Sequence, residues 1–387
     1  MRYLQIQIKG YRALADVTLE LHPLTVMIGP NGCGKTSLLD VFQLLKEATH
    51  GQLEEALTTR GGLATLLSQT PDSQMSLEIG VKVDIASPRS SEPMYYSFTL
   101  RPNGGGYAIT SERLKWDLDP SSSEPYLDIE RKDKPLRHLS LLSDPIIPRN
   151  APRNVDPATV AIRENQYLAD CLAKTLYLSS LDIDSRAPIR LPQTLIPVTY
   201  PGQNGELLYA ALYNIRESRV SRSSYERIED TLRLAFPDFD RLELPVVGGG
   251  QITLRWYSRY QKGTAHFYPN QLSEGTLRFL WLITTLLSPE PPPLILIDEP
   301  EISLHPELLK ILAALLQDAS ARTQILVATH SSDLIRWLQP DEVVVIDKVD
   351  GKAAFTWASD PSLNLGEWLK EYTLRDLWLM GNLDGRP

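Results

Sequence analysis

Hydrophobic and polar positions alternate near the start of the chain and predict two strands, at residues 4–8 and 17–21, with a turn between them at residues 10–12. An uninterrupted apolar run at residues 24–28 predicts a buried strand. Apolar residues then recur with helical spacing through residues 36–46. The opening therefore predicts an antiparallel layer that leads into a strand–loop–helix unit.

The middle of the chain carries weaker patterns than its two ends. Residues 87–163 are rich in proline, serine and glycine, and the stretch at 120–160 predicts either long loops or a separate small subdomain. We therefore divide the chain into residues 1–85, an insertion at 86–195, and residues 196–387. The same periodicities predict strands at residues 75–85, 94–100, 107–114, 252–257, 264–268, 294–297 and 324–329, helices at 168–178, 206–234 and 276–287, and a strand pair with a terminal helix after residue 330.

Residues 29–37 read Gly-Pro-Asn-Gly-Cys-Gly-Lys-Thr-Ser and match the pattern G-x-x-x-x-G-K-[ST]. In such a loop the glycines let backbone N–H groups surround a phosphate, the lysine reaches the β- and γ-phosphates, and the hydroxyl holds Mg²⁺. The predicted helix after the loop adds its N-terminal N–H groups, which attract anions. The motif predicts that the chain binds a nucleoside triphosphate.

Three other segments contribute a hydroxyl group, two carboxylates and an imidazole, in that order along the chain. The apolar strand at residues 294–297 runs into Asp298 and Glu299, the form of a Walker B segment, in which the aspartate lies beside Mg²⁺ and the glutamate polarises the attacking water. Ser273, which precedes this strand in the chain, is a natural N-cap for the helix that follows it. His330, which lies after the acidic pair, ends another apolar strand.

This constellation resembles the ABC class of ATPases and, within it, the RecF/SMC-like group related to the OLD-family ATPase module. The similarity covers residues 1–85 and most of residues 195–387. The segments that carry it are residues 8–14, 29–37, 272–276, 294–306 and 328–332, together with the ending at 365–387.

The resemblance implies a role for each matching position. ATP would be bound by Asn31, Gly32, Cys33, Gly34, Lys35, Thr36 and Ser37, with Thr36 and Asp298 as Mg²⁺ ligands. Glu299, Lys35 and His330 would be catalytic, with His330 as the switch histidine that senses the γ-phosphate. Ser273, Glu274 and Gly275 match the signature that contacts the nucleotide of a partner subunit, and residues 301–305 match the D-loop.

The resemblance also implies a fold and an assembly. The expected fold is α/β, an ABC-type head with a mixed sheet that has a parallel core, flanking helices, an N-terminal antiparallel β layer and an inserted lid segment. Because two ATP molecules lie between two heads in this class, we expect an ATP-induced homodimer.

Some positions depart from the family pattern or stay open. The signature reads Ser-Glu-Gly-Thr rather than Ser-Gly-Gly-Gln, which argues against a transporter subunit. Gln69 and Gln74 are the nearest candidates for the Q-loop glutamine. Tyr11 or Arg12 either contacts the adenine, by stacking or by a cation–π contact, or forms a surface turn.

Charge and composition limit the partners. The chain of 387 residues has 39 basic and 48 acidic residues, a net charge of −9 that argues against a surface coated in DNA-binding patches. A local basic track is still open, and the alternative is a solvated face or salt bridges. The arginines and lysines concerned are Arg131, Lys132, Lys134, Arg137, Arg149, Arg153, Arg163, Arg216, Arg219, Arg222 and Arg227.

Two cysteines and short apolar runs limit the class of protein further. Two cysteines exclude a disulfide framework and a cysteine-based zinc site. No apolar run approaches the roughly 18 residues of a membrane span, and the N-terminus lacks the apolar core of a signal peptide. We therefore expect a cytoplasmic protein without a membrane partner.

Two functions remain open at this point. One is an ATP-hydrolysing switch whose dimer acts on DNA or on a partner protein, in genome maintenance or phage defence. The other is a slow ATP-gated scaffold that regulates a separate effector protein. An OLD-type nuclease would need a metal-binding carboxylate domain, whereas the short segment after His330 predicts only a strand pair and a helix, so we do not expect nuclease activity.

Overall fold

The computed structural model describes residues 2–69, 75–84, 93–116, 127–131, 139, 168–259, 266–363 and 373–380. The chain divides into two compact units. Unit 1 comprises Met1–Thr175, Pro340–Glu367 and Leu377–Pro387, and unit 2 comprises Leu176–Gln339 and Trp368–Asp376.

Unit 1 contains an antiparallel sheet built largely from the start of the chain. Ile6 and Ile8 of its first strand are fully buried while Lys9 is exposed, so the alternating pattern places one face of the strand in the core. The spatial order of its strands is β2-β1-β4-β5-β6-β7. The strands are β1 Arg2–Tyr11, β2 Leu14–Glu20, β4 Leu77–Asp84, β5 Met94–Asn103, β6 Gly106–Trp116 and β7 Leu127–Arg131.

A second group of strands in unit 1 positions the phosphate loop. Strand β3 (Leu24–Ile28) is buried at all five positions and runs parallel to β17 (Val343–Val349), with Val26 opposite Val343. Strand β18 (Lys352–Trp357) pairs with β17 in the antiparallel sense. The helices of this unit are α1 Lys35–Thr49, α2 Leu53–Thr59 and α3 Leu63–Leu66, with short 3₁₀ helices at Pro340–Glu342 and Pro361–Leu363.

Unit 2 contains three parallel strands whose carboxyl ends carry the acidic motif and the histidine. Strand β15 (Leu294–Asp298) lies between β8 (Leu176–Leu178) and β16 (Gln324–Thr329) and is parallel to both. The helices of this unit are α4 Leu208–Glu217, α5 Arg222–Ala235, α6 Glu274–Leu286, α7 Pro306–Ser320 and α8 Ser332–Ile335. Helix α9 (Leu374–Leu379) contains residues of both units.

Two small antiparallel sheets complete unit 2, ordered β10-β13-β14 and β11-β12-β9. Two 3₁₀ helices, Pro188–Arg190 and Pro269–Gln271, lie near them in sequence. The strands are β9 Gln193–Thr194, β10 Phe239–Glu243, β11 Val246–Gly248, β12 Gln251–Ile252, β13 Arg255–Ser258 and β14 His266–Phe267.

Two predicted helices differ from the observed ones. Of the helix predicted at residues 168–178, residues 168–173 are helical, but Leu176–Leu178 is strand β8, because pairing with β15 outweighs local helix propensity. The single helix predicted at 206–234 is two helices, since the chain becomes extended at Ser218, whose hydroxyl accepts a hydrogen bond from the Ser221 N–H at 3.3 Å.

The division at residues 85 and 195 stays a prediction. Strands β5 and β6 of the predicted insertion continue the N-terminal sheet. Part of the insertion, including Lys132, Lys134, Arg137, Arg149, Arg153 and Arg163, lies outside the described residues, as does Gln74.

Candidate nucleotide-binding and catalytic site

The phosphate loop of unit 1 depends on two glycines with positive φ. Gly32 has φ 74° and Gly34 has φ 114°, a backbone conformation that L side chains rarely adopt. A Cβ on Gly34 would lie 2.8 Å from the Leu14 side chain, so the loop also packs closely against the start of β2. The loop conformation therefore favours glycine at both positions, most strongly at Gly34.

Lys35, the first residue of α1, is buried inside this loop. Its Nζ donates hydrogen bonds to the carbonyls of Gly29 at 2.7 Å and Pro30 at 3.0 Å, and lies 3.8 Å from the buried Cys33 sulfur. Among the described residues, no side chain caps the first turn of α1. The loop therefore brings a lysine ammonium and helix N–H groups together, which is the arrangement that binds a phosphate.

The other predicted loop residues differ in exposure. Asn31, Gly32 and Thr36 are exposed and Ser37 is half-buried, whereas Cys33 and Gly34 are buried with Lys35. Cys33 packs against the loop backbone, because a Cβ on Gly29 would come within 2.9 Å of its sulfur. Thr36 is thus the accessible hydroxyl at the start of α1.

Tyr11 and Arg12 belong to an ion-pair cluster on α1. Tyr11 is fully buried, and its hydroxyl donates to Asp40 at 2.6 Å; burial raises its pKa well above the ordinary value. Arg12 pairs with the same carboxylate at 2.9 Å, and Arg60 holds its other oxygen at 2.8 Å. The buried Tyr11 ring is not accessible for stacking on adenine.

In unit 2, the two acidic residues at the end of β15, Asp298 and Glu299, lie in different environments. Asp298 accepts a hydrogen bond from the Tyr177 hydroxyl on the neighbouring strand β8, at 3.2 Å. Glu299 has φ 49°, a left-handed conformation that costs a non-glycine residue about 1–3 kcal/mol. Its N–H donates to the Ala328 carbonyl at 2.8 Å, and its carboxylate lies 3.5 Å from Nε2 of His330.

Glu301 joins this turn to the loop that carries His330. One of its carboxylate oxygens, Oε1, accepts hydrogen bonds from the Thr329 hydroxyl at 2.7 Å and from the His330 N–H at 2.8 Å. These bonds fix the position of the histidine backbone relative to Glu299. The contact was not predicted, because the sequence motif alone does not show what Glu301 bonds.

The signature segment begins helix α6 as the sequence predicts. The exposed Ser273 is the N-cap, and its Oγ accepts from the Thr276 N–H at 3.1 Å. A Cβ on Gly275 would lie 2.3 Å from the Ser303 carbonyl oxygen, so only glycine fits there. The Ser303 hydroxyl also donates to the Glu274 carboxylate, which ties the first turn of α6 to the segment after Glu299.

A pocket of about 450 Å³ opens beside the N-terminus of α6. Ser273 and Thr276 form part of its lining, and aromatic side chains form another part. These are Phe236, Phe239, Trp256 and Phe267. The signature end of α6 is therefore accessible to a ligand or to another chain.

Arg278 of α6 is a site residue that the sequence prediction missed. It is 2% exposed, and its guanidinium donates to the carbonyl of Glu299 at 3.0 Å. Burial lowers its pKa, and the charges of Glu274, Glu301 and Glu299 oppose that shift. A signal was present, since Arg278 is the one charged residue within the apolar run of residues 277–283.

The arrangement in unit 2 suits hydrolytic chemistry. A half-exposed carboxylate beside an imidazole can orient a water molecule and accept its proton. Within the described residues, no group of three or more His, Cys, Asp or Glu side chains could hold a metal ion. No helix of that part of the chain is long and apolar enough to cross a membrane.

Family comparisons agree with this chemistry. Residues 1–108 match the family described as "AAA ATPase domain", and residues 172–336 match the family described as "AAA domain, putative AbiEii toxin, Type IV TA system". A 41-residue segment is 46% identical to the OLD nuclease of Thermus scotoductus, and it covers 11% of this chain and 8% of that nuclease. The chain is therefore an ATPase with AAA-type domains.

The ATPase shares its fold with solved Smc head domains. It is 13% identical, with a TM-score of 0.57, to an Smc head bound to the C-winged helix domain of ScpA, over 92% of this chain and 98% of that one. It is 11% identical, with a TM-score of 0.56, to the Pyrococcus furiosus Smc head with an extended coiled coil bound to the C-terminal domain of ScpA, over 95% and 99%. The predicted α/β fold of an ABC-type head is confirmed for this ATPase.

Proposed function

We propose that this ATPase is a switch that closes as a homodimer around two ATP molecules and couples closure to a partner macromolecule. The observation that carries the proposal lies in unit 2. Besides the pair of Glu299 and His330, that unit presents a second helix N-terminus suited to phosphate, at the exposed Ser273. In the proposed dimer this end of α6 contacts the ATP bound by the other subunit.

The phosphates of ATP are bound by unit 1. Lys35 and the N–H groups of the loop contact the β- and γ-phosphates, and the side chains of Asn31 and Ser37 lie on the same loop. The carboxylate of Asp298 and the hydroxyl of Thr36 are hard oxygen donors, the type that Mg²⁺ prefers. When bound, Mg²⁺ would neutralise charge on the phosphate oxygens.

Hydrolysis requires an activated water and stabilisation of the charge that develops on the γ-phosphate. Glu299 orients the water for in-line attack and takes its proton. His330, held by Glu301 through its backbone N–H, lies on the same side of the turn and contacts the γ-phosphate. Lys35 and the Ser273 hydroxyl of the second copy stabilise the developing charge.

A protein partner fits the described surface better than DNA does. Three of the four arginines of the predicted basic track in unit 2 are paired with carboxylates: Arg216 with Glu217 at 3.0 Å, Arg222 with Glu226 at 3.5 Å and Arg227 with Asp318 at 2.8 Å. Paired arginines release few counterions on a phosphate backbone. DNA remains the second candidate, since the OLD relative is a nuclease by name and six of the seven basic residues that the insertion contributes to the predicted track lie outside the described residues.

The test is steady-state ATP hydrolysis by the purified protein, alone and with linear double-stranded DNA, with Lys35→Ala as the blank. We expect Lys35-dependent hydrolysis that DNA leaves within about twofold of its basal rate, because three of the four arginines of the track in unit 2 are paired with carboxylates. Stimulation several-fold above basal would contradict the preference for a protein partner and favour DNA. A rate close to that of the blank would instead favour the slow ATP-gated scaffold.

The pathway belongs to the same proposal. An ATP-gated dimer that controls a partner protein or DNA suits genome maintenance or phage defence. The second family match carries a toxin–antitoxin description, which supports the defence role.

A further inference from the structure

Arg278 lies in the second turn of α6 and contacts the segment that carries Glu299, the proposed catalytic carboxylate. One of its terminal nitrogens donates to the Glu299 carbonyl at 3.0 Å, and that carbonyl also accepts from the Ile302 N–H at 3.3 Å. An α6 side chain thus holds the peptide group of Glu299.

Stability alone does not account for a charge at this depth. Burying a guanidinium is costly unless its donors are used, and an apolar side chain of similar volume is often more stabilising. Within the described part of the chain, the Nε of Arg278 and the Oε2 of Glu301 are both buried without a hydrogen-bond partner. Such unsatisfied groups call for a functional reason.

The conformation of Glu299 is set by contacts with three different elements. Its N–H is bound to Ala328 of β16, its carbonyl to Arg278 of α6, and its carboxylate lies beside His330. Because a left-handed non-glycine residue persists only when its surroundings hold it, the loss of one contact redirects the carboxylate.

The first turn of α6 is fixed to the same segment. The Ser303 hydroxyl donates to Glu274, and the Ser303 carbonyl occupies the space where a side chain at Gly275 would lie. Close-packed elements of this kind move together rather than independently. A displacement of α6 therefore also displaces residues 299–303.

We infer that Arg278 is a positioning residue that transmits the position of the signature helix α6 to the carboxylate of Glu299. The inference rests on the proposed function in one respect: the event that shifts α6 is the contact of Ser273 with the nucleotide of the second subunit. Arg278 itself touches neither nucleotide nor attacking water. Its loss therefore lowers turnover and leaves ATP binding by unit 1 intact.

The experiment compares Arg278→Gln with Arg322→Gln. Arg322 is a matched control, because it donates to the carbonyls of Ser288 and Leu286 at 2.6 Å, at the opposite end of α6. We expect Arg278→Gln to lower kcat about 10- to 100-fold, as misplacement of a catalytic group does. Binding of a fluorescent ATP analogue stays within about threefold of wild type, and Arg322→Gln keeps kcat within about threefold.

Arg278→Lys separates positioning from packing. Lysine keeps the charge and one donor but loses the planar fork, so kcat lies between those of wild type and Arg278→Gln. Unchanged kcat in Arg278→Gln would overturn the inference. So would losses of kcat that follow thermal stability equally in Arg278→Gln and Arg322→Gln.

If Arg278→Gln does not fold, a double-mutant cycle of Arg278→Lys and Glu301→Gln tests whether the two residues act together on kcat. A coupled network gives a double variant whose kcat differs from the product of the single effects, whereas independent effects contradict the inference. Light scattering with ATP tests the dimer separately. If the wild-type protein stays monomeric with ATP while Arg278→Gln loses turnover, the link to a second subunit is overturned and the positioning role is supported. If the wild-type protein dimerises and Arg278→Gln keeps its turnover, only the positioning role is overturned.

Discussion

The hydrogen bonds of Lys35 in the phosphate loop of unit 1 are local along the chain, whereas those around Glu299 in unit 2 join distant residues. Lys35 donates to carbonyls five and six residues before it. In unit 2, Arg278 reaches a carbonyl 21 residues away, and Glu301 reaches the His330 N–H 29 residues away. The predicted phosphate-binding groups of unit 1 thus come from one segment, although the loop also packs against the Leu14 side chain, whereas the geometry of unit 2 depends on how α6, β15 and β16 pack.

This difference separates two kinds of perturbation. We expect changes in the phosphate loop to act on nucleotide affinity, because the loop supplies the proposed phosphate-binding groups. We expect changes in unit 2 to act on turnover, since Glu299 and His330 are the proposed catalytic groups. The variants below test that separation, from the largest expected effect to the smallest.

Glu299→Gln removes the proposed general base and keeps the size of the side chain. We expect kcat to fall about 10²- to 10⁴-fold, as the loss of general-base catalysis does, while ATP affinity stays near wild type. Steady-state hydrolysis and equilibrium binding measure the two quantities. Glu226→Gln, an exposed residue of α5, is the control and keeps full turnover. A large loss of affinity in Glu299→Gln would break the division between the units.

Lys35→Ala removes the ammonium at the centre of the phosphate loop. We expect ATP affinity to fall about 100-fold, because a charge-assisted contact to phosphate is lost. Titration with a fluorescent ATP analogue measures the loss. Lys46→Ala is the matched control on the same helix, since Lys46 donates to the Thr175 carbonyl rather than to the loop. Normal affinity in Lys35→Ala would place ATP elsewhere.

Gly275→Ala introduces a methyl group 2.3 Å from the Ser303 carbonyl and forces the first turn of α6 away from residues 299–303. We expect kcat to fall about tenfold, as for a small misplacement of a catalytic group, with affinity unchanged. Gly105→Ala is the control, because among described atoms none lies within 4 Å of the added Cβ. Equal turnover in the two variants would show that α6 does not set the position of Glu299.

Tyr177→Phe removes the hydroxyl that donates to Asp298 at 3.2 Å. We expect the smallest effect, a decrease of kcat by about three- to tenfold, the size of one hydrogen bond to a charged group. The Mg²⁺ concentration that gives half-maximal rate is the sharper readout, since Asp298 is the proposed ligand. An unchanged Mg²⁺ dependence would contradict a role for this hydroxyl in holding Asp298.

The contrast between the units also explains what the sequence predicts and what it does not. The strand at Leu24–Ile28, the loop and helix α1 follow from one continuous segment, because glycine positions and apolar spacing are local signals. The same holds for β15 and for the N-cap at Ser273. The assignment of ATP and Mg²⁺ ligands to these positions stays a prediction.

Contacts between distant segments leave no such signal. The helix predicted to reach residue 178 ends early because Leu176–Leu178 pairs with β15. The bonds of Arg278 and Glu301 depend on three segments that meet only in the folded chain. The position of Arg278 in an apolar helix indicates a buried charge, but the sequence does not show that its partner is the Glu299 carbonyl.

The most direct test of the ATP-closed dimer is the mass of Glu299→Gln by light scattering, with and without ATP and Mg²⁺. The variant binds ATP without hydrolysing it and should therefore remain closed. We expect a monomer of 43.5 kDa without nucleotide and twice that mass with it. A variant that binds ATP and stays at 43.5 kDa would contradict the proposed dimer.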